Sequence, residues 1–285
     1  HRDPAPARDR RRHRPVGGPR PVGGDPPRTP SPTDTKKSSV TAADFEFLRT
    51  FLAQKTAIQI APGQEYLVES RLDKVARQHG LPDVTAVLGR VRSGNNAVAA
   101  DVIDAMTTNE TSFFRDQHPF DDIVATIIPE LLSKLGPADP LTIWCAASSS
   151  GQEPYTLAIL LNEHFGDLVR RRRVKIVATD LSPTMVARTK EGRYSQFEVN
   201  RGLPAKHMIT YFQQQGRDWI VRNDLREMID ARMLNLLEPW SAIPRCDLVL
   251  MRNVLIYFPA EVKHKILARV KDQVLKPHGY LLLGS

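Results

Sequence analysis

From Pro140 onward, short apolar runs alternate with amphipathic stretches, and no other feature restricts the possible folds as much. LTIWCAA (141–147), VKIVATD (174–180) and CDLVLMRN (246–253) are too short and too evenly apolar for surface helices. They read as strands covered on both faces. EPYTLAILLNEHF, a stretch opened by Ser182-Pro183, and PAEVKHKILARVKDQVL (259–275) lie between or after them with helical spacing. Strands that alternate with helices build a parallel, doubly wound sheet with helices on both faces, an α/β fold. Residues 194–235 break the alternation: WIV and MID suggest short strands in a small excursion, followed by a sheet strand over about 228–234. The chain stops at Ser285, inside or just after a strand, and an open sheet edge there predicts that the native protein continues.

Ahead of the sheet the pattern is helical. TAADFEFLRTFLAQKT spaces Phe45, Leu48, Phe51 and Leu52 along one helix face, and GQEYLVESRLDKVARQHG does the same with Tyr66, Leu67, Leu72 and Val75 before Gly80 stops it. Further helices fit 83–92 and 96–106, giving a helical unit over 41–112 and a sheet domain over 113–285. Residues 1–40 hold nine of the 22 prolines and ten Lys/Arg against four Asp, so six of the eight net positive charges lie there. Such a segment buries too little apolar surface to offset its chain entropy and is expected to be a disordered basic tail, either a tether for acidic partners or a linker. The remainder is nearly neutral and lacks interleaved basic and aromatic residues, which argues against a nucleic-acid partner. Two cysteines with no CxxC motif exclude a disulfide framework, and no Cys/His cluster predicts a metal. No apolar run reaches the roughly 20 residues of a membrane span, so a cytoplasmic protein is expected. His118, His164, His207 and His264 share no ligand spacing and read as surface or capping residues. Trp144, Trp219 and Trp240 read as packing residues, and Cys145 and Cys246 as buried small hydrophobes.

In doubly wound sheets ligands bind beyond the carboxyl ends of the strands. The first strand here runs into AASSSGQEP, a small-residue turn that opens a helix; the second ends in Asp180, 29 residues after Gly151; the third ends in MRN (251–253). Small side chains admit a ligand to the backbone, and an acid at that spacing can accept from both hydroxyls of a ribose. The turn lacks GxGxxG, which favours a nucleoside ligand without pyrophosphate, such as S-adenosylmethionine (SAM), over a dinucleotide. In TTNETSFFRDQHPF (107–120) polar residues crowd an aromatic pair. A helix cap would account for Thr111 and the rings but leaves Arg115 without a task.

TTNETSFFRD, WCAASSSGQEPYTLAILL, IVATDLS, the GRY…RGLP segment (192–204), NLLEPW and DLVLMRNVLIYF together resemble the CheR-type chemotaxis (chemoreceptor glutamate) methyltransferases over residues 41–285. The resemblance implies a small all-helical N-terminal domain followed by a Rossmann-like SAM-dependent methyltransferase domain with a small antiparallel β insertion, here about 194–228. It implies methyl transfer from SAM to glutamate side chains of chemoreceptors, with S-adenosylhomocysteine (SAH) as product. Asn109, Thr111, Arg115, Glu153, Asp180, Asn235, Leu236, Met251, Arg252 and Asn253 are then cofactor residues, and Arg115 and Tyr257 lie beside the transferred methyl. Arg71, Lys74 and Arg77 recur every three residues on the second helix. This is either a solvated face or, by the resemblance, the docking stripe for the acidic helical bundle of a receptor's cytoplasmic part. A monomer is expected. Relatives commonly carry a Gly-Cys pair and GEEP where this chain has AASSSGQEP, so a SAM-binding regulatory module with impaired catalysis is the alternative. The short YFQQQGRDWIV segment resembles relatives that do not dock on a receptor's C-terminal peptide.

Overall fold

The computed structural model describes residues 40–171 and 173–284. The tail expected over 1–40 therefore lies outside the described residues, except Val40, which packs into the first helical core. Four helices open the fold: α1 (Ala42–Thr56), α2 (Glu65–Gln78), α3 (Val84–Arg92) and α4 (Asn96–Met106). Three start on a side-chain cap, where Thr41, Asp83 and Asn95 accept from Asp44, Ala86 and Val98 backbone N–H groups at 3.1, 2.8 and 3.0 Å. Their inward faces meet in one cluster that includes Phe45, Leu48, Leu52, Leu72, Leu88 and Val102. Asp44 is buried there. Burial pushes its carboxyl up, but Arg92 at 2.7 Å and the Thr41 and Thr85 hydroxyls outweigh this and hold it below the usual 3.8.

An irregular stretch leads to α5 (His118–Asp122), which runs through a π-helical turn (Ile123–Ile127) into α6 (Ile128–Lys134). Then β1 (Leu141–Ala146), α7 (Gln152–His164), α8 (Gly166–Arg170), β2 (Val174–Asp180) and α9 (Pro183–Glu191) come in the expected alternation. The excursion comprises β3 (Arg193–Ser195), α10 (Gln196–Asn200), α11 (Ala205–Tyr211), β4 (Phe212–Gln215), β5 (Asp218–Val221) and α12 (Asn223–Arg226). The chain returns through β6 (Ile229–Met233), β7 (Cys246–Met251), a 3-10 turn (Leu255–Tyr257), α13 (Ala260–Arg269) with a π-helical end (Val270–Val274), and β8 (Leu275–Leu283).

The main sheet has the order β6-β2-β1-β7-β8, every pair parallel. Strand residues alternate between two cores, as the pleat requires. Ile143, Cys145, Leu248 and Leu250 face α5 to α7, whereas Trp144, Ala146, Val249 and Met251 face Trp240, Ile266 and Val270. Both cysteines are free and buried. The order reverses direction at β1, with β2 on one side and β7 on the other, and this switch point is where a ligand cleft forms. The excursion carries a separate antiparallel sheet in the order β3-β5-β4. β5 contains the expected WIV. β3 and β4 were not foreseen because RYS and FQQQ are short and mostly polar, and MID turns out to enter β6 of the main sheet. Among the described residues no helix is long and apolar enough to cross a membrane.

Candidate functional site

The loop after β1 is shaped by unusual backbone. Ala147 and Ser149 adopt φ of 53° and 51°, and Gly151 adopts 94°. At Gly151 a Cβ would lie 2.9 Å from Thr189, so this position requires glycine for both space and conformation. The loop thereby turns its N–H groups toward the end of β2. Ser149 N donates to Asp180 Oδ2 at 2.7 Å and Ser182 N to Oδ1 at 2.9 Å. Burial pushes the Asp180 carboxyl up; these backbone donors oppose the shift without cancelling it, and the carboxylate of Asp104 adds to it. The Leu181 N–H also bonds this carboxylate, so three backbone donors meet an acceptor of about four lone-pair sites.

The segment 107–117 is not a capped helix but an extended turn leading into α5. Phe113 does pack inward, edge-on to Tyr194 and Phe212 at 5.0 and 5.5 Å between ring centres. The backbone N–H of Phe114 donates to Thr156 Oγ1 at 3.1 Å, and its ring stacks on His207 at 5.3 Å. His207 is thus an inner packing residue and not the surface group expected of an isolated histidine; burial lowers its pKa below 6.5 despite Glu163 nearby. Phe114 and Asp116, on either side of Arg115, adopt φ of 50° and 53°. The RGLP segment buttresses this turn. Gly202 (φ 93°) lies so close that a Cβ would meet the Phe113 carbonyl oxygen at 2.0 Å, and Arg201 pairs with Glu110 at 2.6 Å. Among the described residues, five of the seven non-glycine residues with positive φ (Phe114, Asp116, Ala147, Ser149 and Asn253 at 54°) gather around one cleft, a concentration typical of functional sites.

Arg252, at the end of β7, crosses the cleft floor with its side chain 2% exposed. It donates to Glu153 Oε2 at 2.9 Å, to the Arg115 carbonyl at 2.8 Å and to Asp116 Oδ2 at 3.0 Å, and its guanidinium lies 5.2 Å from the Phe120 ring centre. Glu153, in the first turn of α7, is pushed up by burial; Arg252 and Arg115 oppose this, and its pKa remains above 4.5. On the far wall, Asn235 Nδ2 donates to the carbonyl of Lys55 at 2.8 Å, which brings the end of α1 against the sheet domain.

The cleft encloses about 1080 Å³, its open mouth included. Asn109, Thr111, Arg115, Glu153, Asp180, Asn235, Leu236, Arg252, Asn253 and Tyr257 all line it. Met251 does not, because the pleat turns its side chain into the cluster of Trp144 and Trp240. Arg71, Lys74 and Arg77 lie outside it on α2, Lys74 and Arg77 exposed and Arg71 bonded to the end of α4. Sequence reasoning did not find Thr56, Ile58, Phe120, Leu181 and Phe258 in the lining. No local pattern brings the end of α1 to strand ends more than 100 residues away.

Family models match this chain in two places: the all-alpha domain of CheR methyltransferases over residues 43–107, and their SAM-binding domain over 109–285. The chain belongs to the CheR methyltransferase family. It is 41% identical over 252 residues to chemotaxis protein methyltransferase 1 of Pseudomonas aeruginosa, covering 87% of this chain and 90% of that protein. Against chemotaxis protein methyltransferase Cher2 of Pseudomonas putida the identity is 39%, covering 85% and 89%. Against chemotaxis protein methyltransferase 1 of Vibrio cholerae it is 34%, covering 87% and 90%.

This CheR methyltransferase takes SAM as its cofactor, and the cleft suits that molecule. Glu153 would set a buried anion against a positively charged amino group, Asp180 would offer carboxylate oxygen to a ribose, and the small side chains of Ala147–Ser149 would admit a ligand close to the backbone. The Nε–H of Arg252 is buried without a hydrogen-bond partner among the described residues, an unmet donor on the cleft floor. Among the described residues no group of His, Cys, Asp or Glu could hold a metal ion.

Proposed function

We propose that this chain transfers the methyl group of SAM to glutamate side chains of chemoreceptors, acting in the cytoplasm as a monomer on the receptor's acidic helical bundle. The observation that carries this reading is the shared cleft. Arg115 and Tyr257 line it together with Glu153, Asp180 and Arg252, so a cation and a phenol stand beside the cofactor residues. The names of the related chemotaxis protein methyltransferases support the coarser part of this reading, methyl transfer in chemotaxis.

When bound, SAM supplies a methyl group on a sulfonium, which is already a good leaving group. A glutamate acceptor, with an ordinary pKa near 4.3, is an anion at neutral pH and needs no general base. Alignment and exclusion of water are therefore the tasks left to the protein. Arg115 and Tyr257 orient the incoming carboxylate. Arg252 fixes Arg115 from below through its carbonyl, and Glu153 through its carboxylate. Lys74 and Arg77 offer exposed positive charge to the acidic bundle. The regulatory-module alternative is not favoured: the serine-rich first loop retains its bonds to Asp180 and Asn109.

The test is incubation of the full chain with methyl-labelled SAM and a panel of receptor cytoplasmic fragments. Label that enters the fragment and is released by mild alkali, as carboxyl methyl esters are, supports the reading. Arg115→Ala should lower that incorporation by about 10²-fold or more in a folded protein. SAM binding without any alkali-labile product on receptor fragments would refute it.

A further inference from the structure

We infer that Arg71 is a positioning residue for the cofactor cleft, set apart by its hydrogen bonds from the charged stripe it shares in sequence with Lys74 and Arg77. A helix leaves its last carbonyls without partners of its own. Many helices answer this with a left-handed glycine or a cation in the last turn. Helix α4 has neither: its last turn holds no basic residue, and Thr107 at its end is extended (φ −67°, ψ 147°). The cation comes from another helix. Arg71 Nη1 on α2 reaches the carbonyls of Ala105, Met106 and Thr107 at 3.5, 2.9 and 3.0 Å, across 34 to 36 residues of sequence.

The segment that leaves α4 makes this cap consequential. Residues 107–111 run straight from the helix into the cleft wall. Asn109 Nδ2 donates to Thr107 Oγ1 at 3.0 Å, Ser149 Oγ donates to the Asn109 carbonyl at 3.0 Å, and Ser149 N donates to Asp180 at 2.7 Å. A continuous series of hydrogen bonds thus joins Arg71 to the acid that accepts the ribose. Lys74 and Arg77, three and six residues on, take no part in it and face solvent. The inference concerns the SAM site alone and does not depend on which acceptor is methylated.

SAH affinity by calorimetry, receptor-fragment KM, kcat and the salt dependence of KM, all measured on the full chain, separate the two roles. Arg71→Ala should weaken SAH about tenfold or more, the scale of a lost charge-assisted hydrogen bond. The salt dependence of receptor KM should stay that of the parent. Arg71→Lys, with one compact donor group in place of the fork, should recover part of the SAH affinity. It also serves as the test should the alanine variant not fold. Lys74→Ala with Arg77→Ala should show the converse: unchanged SAH affinity, raised receptor KM and a shallower salt dependence. SAH affinity equal to the parent's in folded Arg71→Ala or, should that variant not fold, in Arg71→Lys, or a loss confined to receptor KM and its salt dependence, would overturn the inference.

Discussion

Replacing Gly202 by alanine perturbs the turn that carries Arg115 without touching a residue of the cleft lining, and its effect can be worked from the structure. Two costs combine. At φ 93° an L side chain is strained, by about 1–2 kcal/mol. The new Cβ would also stand 2.0 Å from the Phe113 carbonyl oxygen, where carbon and oxygen normally meet no closer than about 3.3 Å. Something must move by about 1.3 Å, at the 1–3 kcal/mol or so typical of overpacking. The Phe113 ring is wedged between Tyr194 and Phe212, so the strain passes along the backbone to Phe114 and Arg115. Gly202→Ala should therefore lose about 3 kcal/mol of stability, lowering Tm by roughly 6–12 °C. It should also lose about 10²-fold in methyl transfer, the scale of an ångström misplacement of a reacting group. Gly216→Ala is the comparator: its φ is 64° but no atom lies within 4 Å of the added Cβ, so it should lose only about 1 kcal/mol and keep its SAH affinity. Thermal unfolding and labelled-methyl incorporation read both variants. A Gly202→Ala protein with the melting temperature and turnover of the parent would show that the turn is not braced by this glycine.

Arg252→Met removes the partners of Glu153, the Arg115 carbonyl and Asp116 and leaves Glu153 buried without its cation. A loss of about 3–5 kcal/mol is expected, together with SAH affinity, and is read by chemical unfolding and calorimetry. Acidification should have two opposite effects, because burial holds both Glu153 and Asp180 above their ordinary pKa values. As pH falls from neutral towards the ordinary carboxylate range, both take up protons before exposed carboxyls do, so SAH affinity declines. A raised carboxyl pKa means that the fold binds that proton more tightly than the unfolded chain, so their own contribution to stability rises over the same window. Calorimetry and melting curves at matched pH test the pair of signs. Lys74→Glu with Arg77→Glu should lower receptor methylation about tenfold at low salt, with the gap closing as salt is added.

The main sheet was legible because its strands are buried on both faces. Six consecutive buried residues in Leu141–Ala146, all apolar but Thr142, leave a run that no surface helix would carry. The cleft lining was legible where it sits at strand ends, as Asp180 and Arg252 do. Three things were hidden. Non-glycine residues such as Phe114 and Ala147 adopt left-handed backbone only because tertiary packing holds them there, against local preference. The side chain of Arg71 points at the end of another helix, and a spacing of three on α2 cannot distinguish that from solvent. β4 is recruited by hydrogen bonding to β5 with little apolar content of its own, so FQQQ carries no periodic signal.

Asn235 holds the carbonyl of Lys55, and Thr56 and Ile58 line the cleft together with Phe258, so a nucleoside seated there would be a rivet through both halves of the fold. Whatever binds the native state alone adds to its unfolding free energy, about 2.7 kcal/mol at a hundredfold excess over Kd. Part of that gain would fall here on the seam between the helices and the sheet. Filling the cleft should thus slow amide exchange in α1 as well as around Asp180, and a chain cut back to the sheet would hold its nucleoside with one wall missing.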